Sequence, residues 1–167
     1  MKEYNVLKTD WGYVVAVWSD RGLWELTFPY PDADKAVAHL VTQEAAEGSA
    51  NAAAEELSRE LRLYYKGYQV EFGVPLDWTG YTAFQAAVLR YTAQIPYGET
   101  TSYGEVAAAV GSPKASRAVG GALHINRTPV VVPCHRVVGA NKTLVGFGGG
   151  LDLKQALLLL EQESRQV

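Results

Sequence analysis

Nine residues, V-V-V-P-C-H-R-V-V at positions 130–138, constrain this chain more than any other stretch. A cysteine, a histidine and an arginine stand in succession inside a β-branched apolar run. Such a run is expected to be buried, partly extended chain. Pro133 has no amide to donate and holds φ near about −65°, so the backbone enters Cys134 with restricted geometry. A nucleophile needs that kind of fixed placement. The flanking elements read as the surroundings of Cys134: two short helices before Val130, then a glycine-rich loop and a last helix after Val138.

Cys134 is the only cysteine in 167 residues, so no internal disulfide can form and a reducing compartment is the expected setting. The apolar share of 48% fills real cores and excludes a disordered chain. The length fits one compact unit or two small ones. No apolar run reaches the roughly eighteen residues of a membrane helix. Met1 to Thr9 lacks the apolar segment of a secretory signal, and a cytoplasmic protein is expected. The net charge of −3 is uneven. Residues 1–78 carry seven Lys/Arg and thirteen Asp/Glu, and residues 79–167 carry eight and five. The second part is therefore the one able to face a phosphate backbone.

Residues 6–28 read as strands, with a hairpin turn at Asp20-Arg21-Gly22. Asp32 reads as the cap of a helix carrying Ala36, Val37, Leu40 and Val41, and a second helix is expected over Ala52 to Tyr65. Tyr68 to Phe72 reads as a short extended piece. Gly73 to Gly80 is the expected linker, which divides the chain into an α/β domain over 1–78 with a small antiparallel sheet and a mainly helical domain over 79–167. In the second domain, Thr82 to Gln94 is helical. Ser102 with Glu105 forms a capping box for the next helix. That helix ends at Gly111-Ser112-Pro113, and another is expected from Lys114 to Leu123. Two helices across such a turn suggest a helix-turn-helix whose second member carries Lys114 and Arg117, with His124 at its end. DNA contact and plain helix packing both fit the pattern.

A free thiol ionises near about 8.5, and neighbouring cationic or hydrogen-bonding groups could lower it by about one or two units. His135 and Arg136 are adjacent in sequence, but neighbours on an extended strand face opposite ways. A carboxylate to orient His135 must come from elsewhere. Glu161, after four consecutive leucines, reads from pattern alone as an exposed helix-end charge. Gly146-Phe147-Gly148-Gly149-Gly150 lacks the lysine and hydroxyl of a phosphate loop, and suggests a lid or pocket wall instead.

P-C-H-R-V-V at 133–138, S-Y-G-E-V-A at 102–107, S-P-K-A-S-R-A-V-G-G-A at 112–122, Asn126 with Pro129, and G-G-G-L with Glu161 together resemble the O6-alkylguanine-DNA alkyltransferases over residues 78–162. The first domain resembles that family only in general plan. The resemblance implies a ribonuclease-H-like first domain and a winged-helix-like second one. It implies stoichiometric, irreversible transfer of an alkyl group from O6 of guanine, and from O4 of thymine, in double-stranded DNA to Cys134. It implies a monomer bound through the minor groove, nucleoid-associated on DNA, with no metal or organic cofactor.

Carried over by position, the resemblance implies that Cys134 accepts the alkyl group and that His135 links it through a water to Glu161. Asn126 braces the turn before the cysteine, and Tyr103 donates to the leaving guanine. Arg117 fills the space of the flipped nucleotide, while Ala118 and Gly120 let the helix lie close in the groove. Lys114, Thr101 and Ser102 contact DNA. Tyr103, Val137, Phe147 and Gly148 form the substrate pocket, and Arg136 helps hold the domains together. Phe147 and Gly148 stand where the family often carries tyrosine and serine. The first domain has no cysteines for the zinc site of some members. Relatives that only bind the lesion have tryptophan in place of the cysteine. Two other readings remain at this point: a helix-turn-helix DNA-binding protein without chemistry, and a thiol hydrolase.

Overall fold

The computed structural model describes residues 1–49 and 51–164. The backbone divides into two compact units, residues 1–78 and residues 79–164.

The first unit is built on a four-stranded sheet of order β3-β2-β1-β4. β1 (Glu3–Thr9), β2 (Gly12–Ser19) and β3 (Gly22–Leu26) form an antiparallel meander. Val14, Val15, Ala16 and Val17 of β2 are all fully buried, so both faces of this strand are covered. Val15 and Val17 pack with Ala36 and Leu40 on one face. Alternation sends Val14 and Ala16 to the other. The short β4 (Ala46–Glu47) pairs parallel with β1, so the sheet is mixed rather than antiparallel as expected. Nothing in Ala46–Glu47 marks a strand locally; it pairs because the chain returns past the open edge of β1.

Helix α1 (Ala33–Ala38) starts on its Asp32 cap, which accepts from Lys35 N at 2.8 Å. It stops before the expected Leu40 and Val41. The Glu25 carboxylate takes the amides of Val41 at 2.7 Å and Thr42 at 3.0 Å, which draws the chain off the helical path and leaves Val41 exposed. Helix α2 (Ala52–Tyr65) buries Leu57, Leu61 and Tyr64 and packs on β1. Residues Tyr68 to Phe72 form no strand.

The second unit gathers helices around residues 130–138. α3 (Ala83–Thr92) begins with a Thr82–Gln85 capping box, and α4 (Tyr103–Ala109) with the Ser102–Glu105 box. Both pack against α5 (Ser116–His124). Two strand residues, β5 (Thr101–Ser102), pair in parallel with β6 (Val137–Val138). The last helix, α6 (Leu151–Gln162), lies against the turn containing Cys134. Among the described residues, no helix is long and apolar enough to cross a membrane.

Candidate active site

The chain approaching Cys134 is folded on itself by Asn126. Its Nδ2 donates to Val132 O at 3.0 Å, and its Oδ1 accepts from Thr128 N at 3.0 Å. Val132 N donates to Thr128 O at 2.9 Å and Cys134 N to Val132 O at 2.8 Å. Inside this turn Val130 has φ 74°. A β-branched residue there is strained by on the order of 1–3 kcal/mol. The expected buried, partly extended run is extended as strand at Val137–Val138, while Cys134–Arg136 form one turn of 3-10 helix. Buried extended chain needs neighbouring strands for its N–H and C=O groups. β5 offers two residues, so the rest of the segment satisfies itself locally.

That turn explains how Cys134 faces one way while its two neighbours face another. At about three residues per turn they point about 120° apart. Cys134 lines a cavity, while His135 and Arg136 reach one carboxylate. Glu161 is 2% exposed, not the solvated helix-end charge that its local pattern suggests. His135 Nε2 donates to its Oε2 at 2.5 Å. Arg136 forks onto it, Nε to Oε1 at 2.8 Å and Nη2 to Oε2 at 3.0 Å. Gly98 N adds a bond to Oε1 at 3.1 Å, and Arg136 Nη1 donates to Ile95 O at 2.7 Å. These partners of Arg136 all lie within residues 79–164. A buried guanidinium takes the nearest carboxylate, and the expected role between domains gives way to one inside the second unit.

The charges follow from this packing. Burial pushes Glu161 upward, but the hydrogen bonds from His135 and Arg136 and the positive charge of Arg136 outweigh it and hold the carboxyl well below the usual carboxylate range. Burial holds His135 below the usual histidine range, against the pull of Glu161. Burial also pushes the Cys134 thiol up. The Asn126 side chain, the charge of Lys154 and the amides of Cys134 and His135 pull it back only in part. Neighbouring groups do pull the thiol down as expected, but the cost of burying the thiolate is larger.

Lys154 was not singled out from sequence, yet it is fully buried beside this centre. Nζ donates to Val137 O at 2.7 Å and to Val145 O at 2.8 Å. Burial lowers its proton affinity and the Cys134 charge raises it. A signal existed: Lys154, Leu157 and Glu161 recur at helical spacing, and all three are buried on α6.

Cys134 opens on a cavity of about 520 Å³. Tyr103, Leu123, Val145 and Phe147 give it an apolar wall, Ser116, Arg117 and His124 come from α5, and Gly120, Gly146 and Gly148 leave space. Tyr103 Oη donates to Val145 O at 3.0 Å. A Cβ at Gly120 would meet the Tyr103 ring at 3.9 Å, so the bare glycine keeps that side open. Val137, expected on the wall, is instead fully buried in β6 behind it. Lys114 lies exposed in the turn before α5 rather than on the helix, which starts at Ser116. Ala118 is exposed on α5. Thr101 pairs with Val137, and Ser102 uses its hydroxyl to cap α4, accepting from Glu105 N at 3.0 Å.

Known proteins resemble this chain in sequence and fold. A family model described as 6-O-methylguanine DNA methyltransferase, DNA binding domain, matches residues 83–163. A methylated-DNA–protein-cysteine methyltransferase of Methanosarcina acetivorans is 51% identical over 106 residues, 64% of this chain and 67% of the relative. One of Mycobacterium leprae is 50% identical over 117 residues, 70% of this chain and 69% of the relative. The crystal structure of Mycobacterium tuberculosis OGT in complex with DNA superposes with a TM-score of 0.82 at 34% identity, covering 97% of this chain and 94% of that one.

Proposed function

The chain belongs to the methylated-DNA–protein-cysteine methyltransferase family, and from that premise we propose that it repairs DNA by moving an alkyl group from O6 of guanine to the sulfur of Cys134. The observation that carries this reading is the seating of its only cysteine against an apolar cavity of about 520 Å³, a size that holds a small-molecule ligand.

The sulfur of Cys134, recessed in the cavity, cannot reach a base that stays stacked in a duplex, so the nucleotide rotates into the cavity. Cys134 rests as a thiol. His135, neutral and bonded to Glu161, draws the proton off through a water as the substrate engages. The sulfur attacks the carbon on O6, an S–C bond forms, the C–O bond breaks, and its electron pair returns to guanine. Tyr103, on the cavity wall, turns its hydroxyl from Val145 O to donate to the departing base. Lys154 supplies the buried positive charge that favours the thiolate. The product is a thioether, which water does not readily cleave, so each molecule acts once.

The same reading treats α4 and α5 as a helix-turn-helix in a winged-helix-like domain, and residues 1–78 as ribonuclease-H-like. α5 enters the minor groove, with Arg117 in the place of the flipped nucleotide and Ala118 and Gly120 against the backbone. Lys114, Thr101 and Ser102 flank the groove. The protein works as a monomer in a reducing compartment, where its thiol survives. A hydrolase is disfavoured because the Cys134 amide, the natural donor to an oxyanion, is already bonded to Val132 O.

Incubation with a duplex carrying one O6-methylguanine tests this. The expected result is a one-methyl mass gain on Cys134, one equivalent per protein, and no gain in Cys134→Ala. Many lesions cleared per molecule, or an adduct on another side chain, would overturn the reading.

A further inference from the structure

We propose that Arg136 is a positioning residue: its forked hold on both oxygens of Glu161 balances the carboxylate's charge and so keeps His135 a neutral, Nε2-protonated imidazole. The proposal rests on the alkyl-transfer reading for its relevance, but on the geometry of this network for its content.

Glu161 faces two potential cationic partners at once. Arg136 meets it side-on, at 2.8 and 3.0 Å, and His135 meets it end-on through Nε2 at 2.5 Å. A guanidinium cannot give up its proton inside a protein, whereas an imidazole can. A single buried carboxylate compensates one positive charge, and the fork commits it to Arg136. An added proton on His135 would then leave a net positive charge in a fully buried place. Without the fork, Glu161 would draw a proton onto His135, making a closed ion pair with no capacity to take a proton from Cys134.

The groups around His135 agree in direction. Arg136 from its own turn and Lys154 from α6 both disfavour the imidazolium, and Glu161 from α6 alone among the named charges favours it. Tyr97, over whose ring Arg136 stands at 5.5 Å, is pushed up to about 12 mainly by burial and adds no charge. The hold on Arg136 is itself fixed from outside the pair. Ile95 O takes its Nη1, and Gly98, at φ 79°, turns its amide onto Oε1 of Glu161. The turn after α3 therefore sets the orientation of the carboxylate.

The test uses the full chain with ¹⁵N-labelled histidine. In the wild type, His135 is expected to show the neutral Nε2–H tautomer and to stay unprotonated below about 6.5, where an ordinary histidine titrates. An imidazolium there would overturn the proposal. Arg136→Lys keeps the charge but loses the fork. In this variant His135 is expected to titrate at higher pH, and the acid limb of single-turnover alkyl transfer to move up with it, so that the rate falls more at pH 6 than at pH 8. A uniform fall in rate with the His135 titration unmoved would show a merely structural role. Should Arg136→Lys not fold, the wild-type titration still decides. A wild type that transfers no alkyl group would sink the preceding reading without touching the titration.

Discussion

Lys154 and Tyr103 donate to one acceptor: Nζ reaches the carbonyl of Val145 at 2.8 Å, and the tyrosine hydroxyl reaches the same oxygen at 3.0 Å. The loop that walls the cavity is held from α6 and α4 at a single point. Lys154 also bonds Val137 O, so one buried ammonium ties the wall to β6 while its charge bears on Cys134.

Lys154→Met keeps the stem and removes the charge. The buried Val137 carbonyl would lose its ammonium donor, a cost of about 1–3 kcal/mol. A lower urea midpoint is expected. The thiol loses its cation as well, so its reaction with a small alkylating reagent should require higher pH. An unchanged pH profile for that reaction would remove Lys154 from the electrostatic account.

Asn126→Ala breaks the side-chain bonds that fold the turn before Cys134. About 1–3 kcal/mol of stability should go with them. The larger effect is on chemistry, since displacing a reacting atom by about 1 Å costs on the order of 10²-fold. Single-turnover transfer rates measured beside thermal unfolding would separate the two, the rate falling out of proportion to the stability.

Gly148→Ser meets no heavy atom within 4 Å of the new Cβ, and Gly148 does not need a left-handed backbone. Stability should change by no more than about 0.5 kcal/mol. The hydroxymethyl group narrows the cavity beside Phe147, so transfer from O6-benzylguanine should slow more than transfer from O6-methylguanine. The ratio of the two rates in duplex DNA checks this.

Acid should weaken the fold in two stages. His135 is held below its ordinary value, so an unfolded chain protonates near about 6.5 while the folded one does not, and stability is lost as pH falls through that range. Glu161 is depressed to about 2. The stability it contributes is full above the ordinary carboxylate range near about 4.3 and is lost toward about 2. Urea midpoints from pH 8 to pH 3 should show both stages. Glu161→Gln should lack the second and be less stable near neutral pH by about 3–5 kcal/mol, because it strands Arg136 as an unpaired buried charge.

Much of the local structure was legible in the sequence. The Asp32 cap, the span Ala52–Tyr65, the hairpin at Asp20-Arg21-Gly22 and the Ser102–Glu105 box all depend on groups a few residues apart. The error at Val41 came from a distant side chain, Glu25, which competes for the amides that would continue α1. The expected start of α5 at Lys114 fails because the turn extends to Ala115.

The sequence by itself determined which groups the second unit must bury: a cysteine, a histidine and an arginine cannot sit in a valine run without going inside together. Tertiary structure alone decided what they meet there. Glu161 stands 26 residues after His135 along the chain, and only the landing of α6 on the 3-10 turn brings their atoms to 2.5 Å. Lys154 turned from an ordinary helix residue into a buried cation by the same docking. Pattern reports burial because burial repeats with the helix or strand period. It does not report pairing across the fold, because the free energy of a buried charge depends on the exact partner that packing supplies.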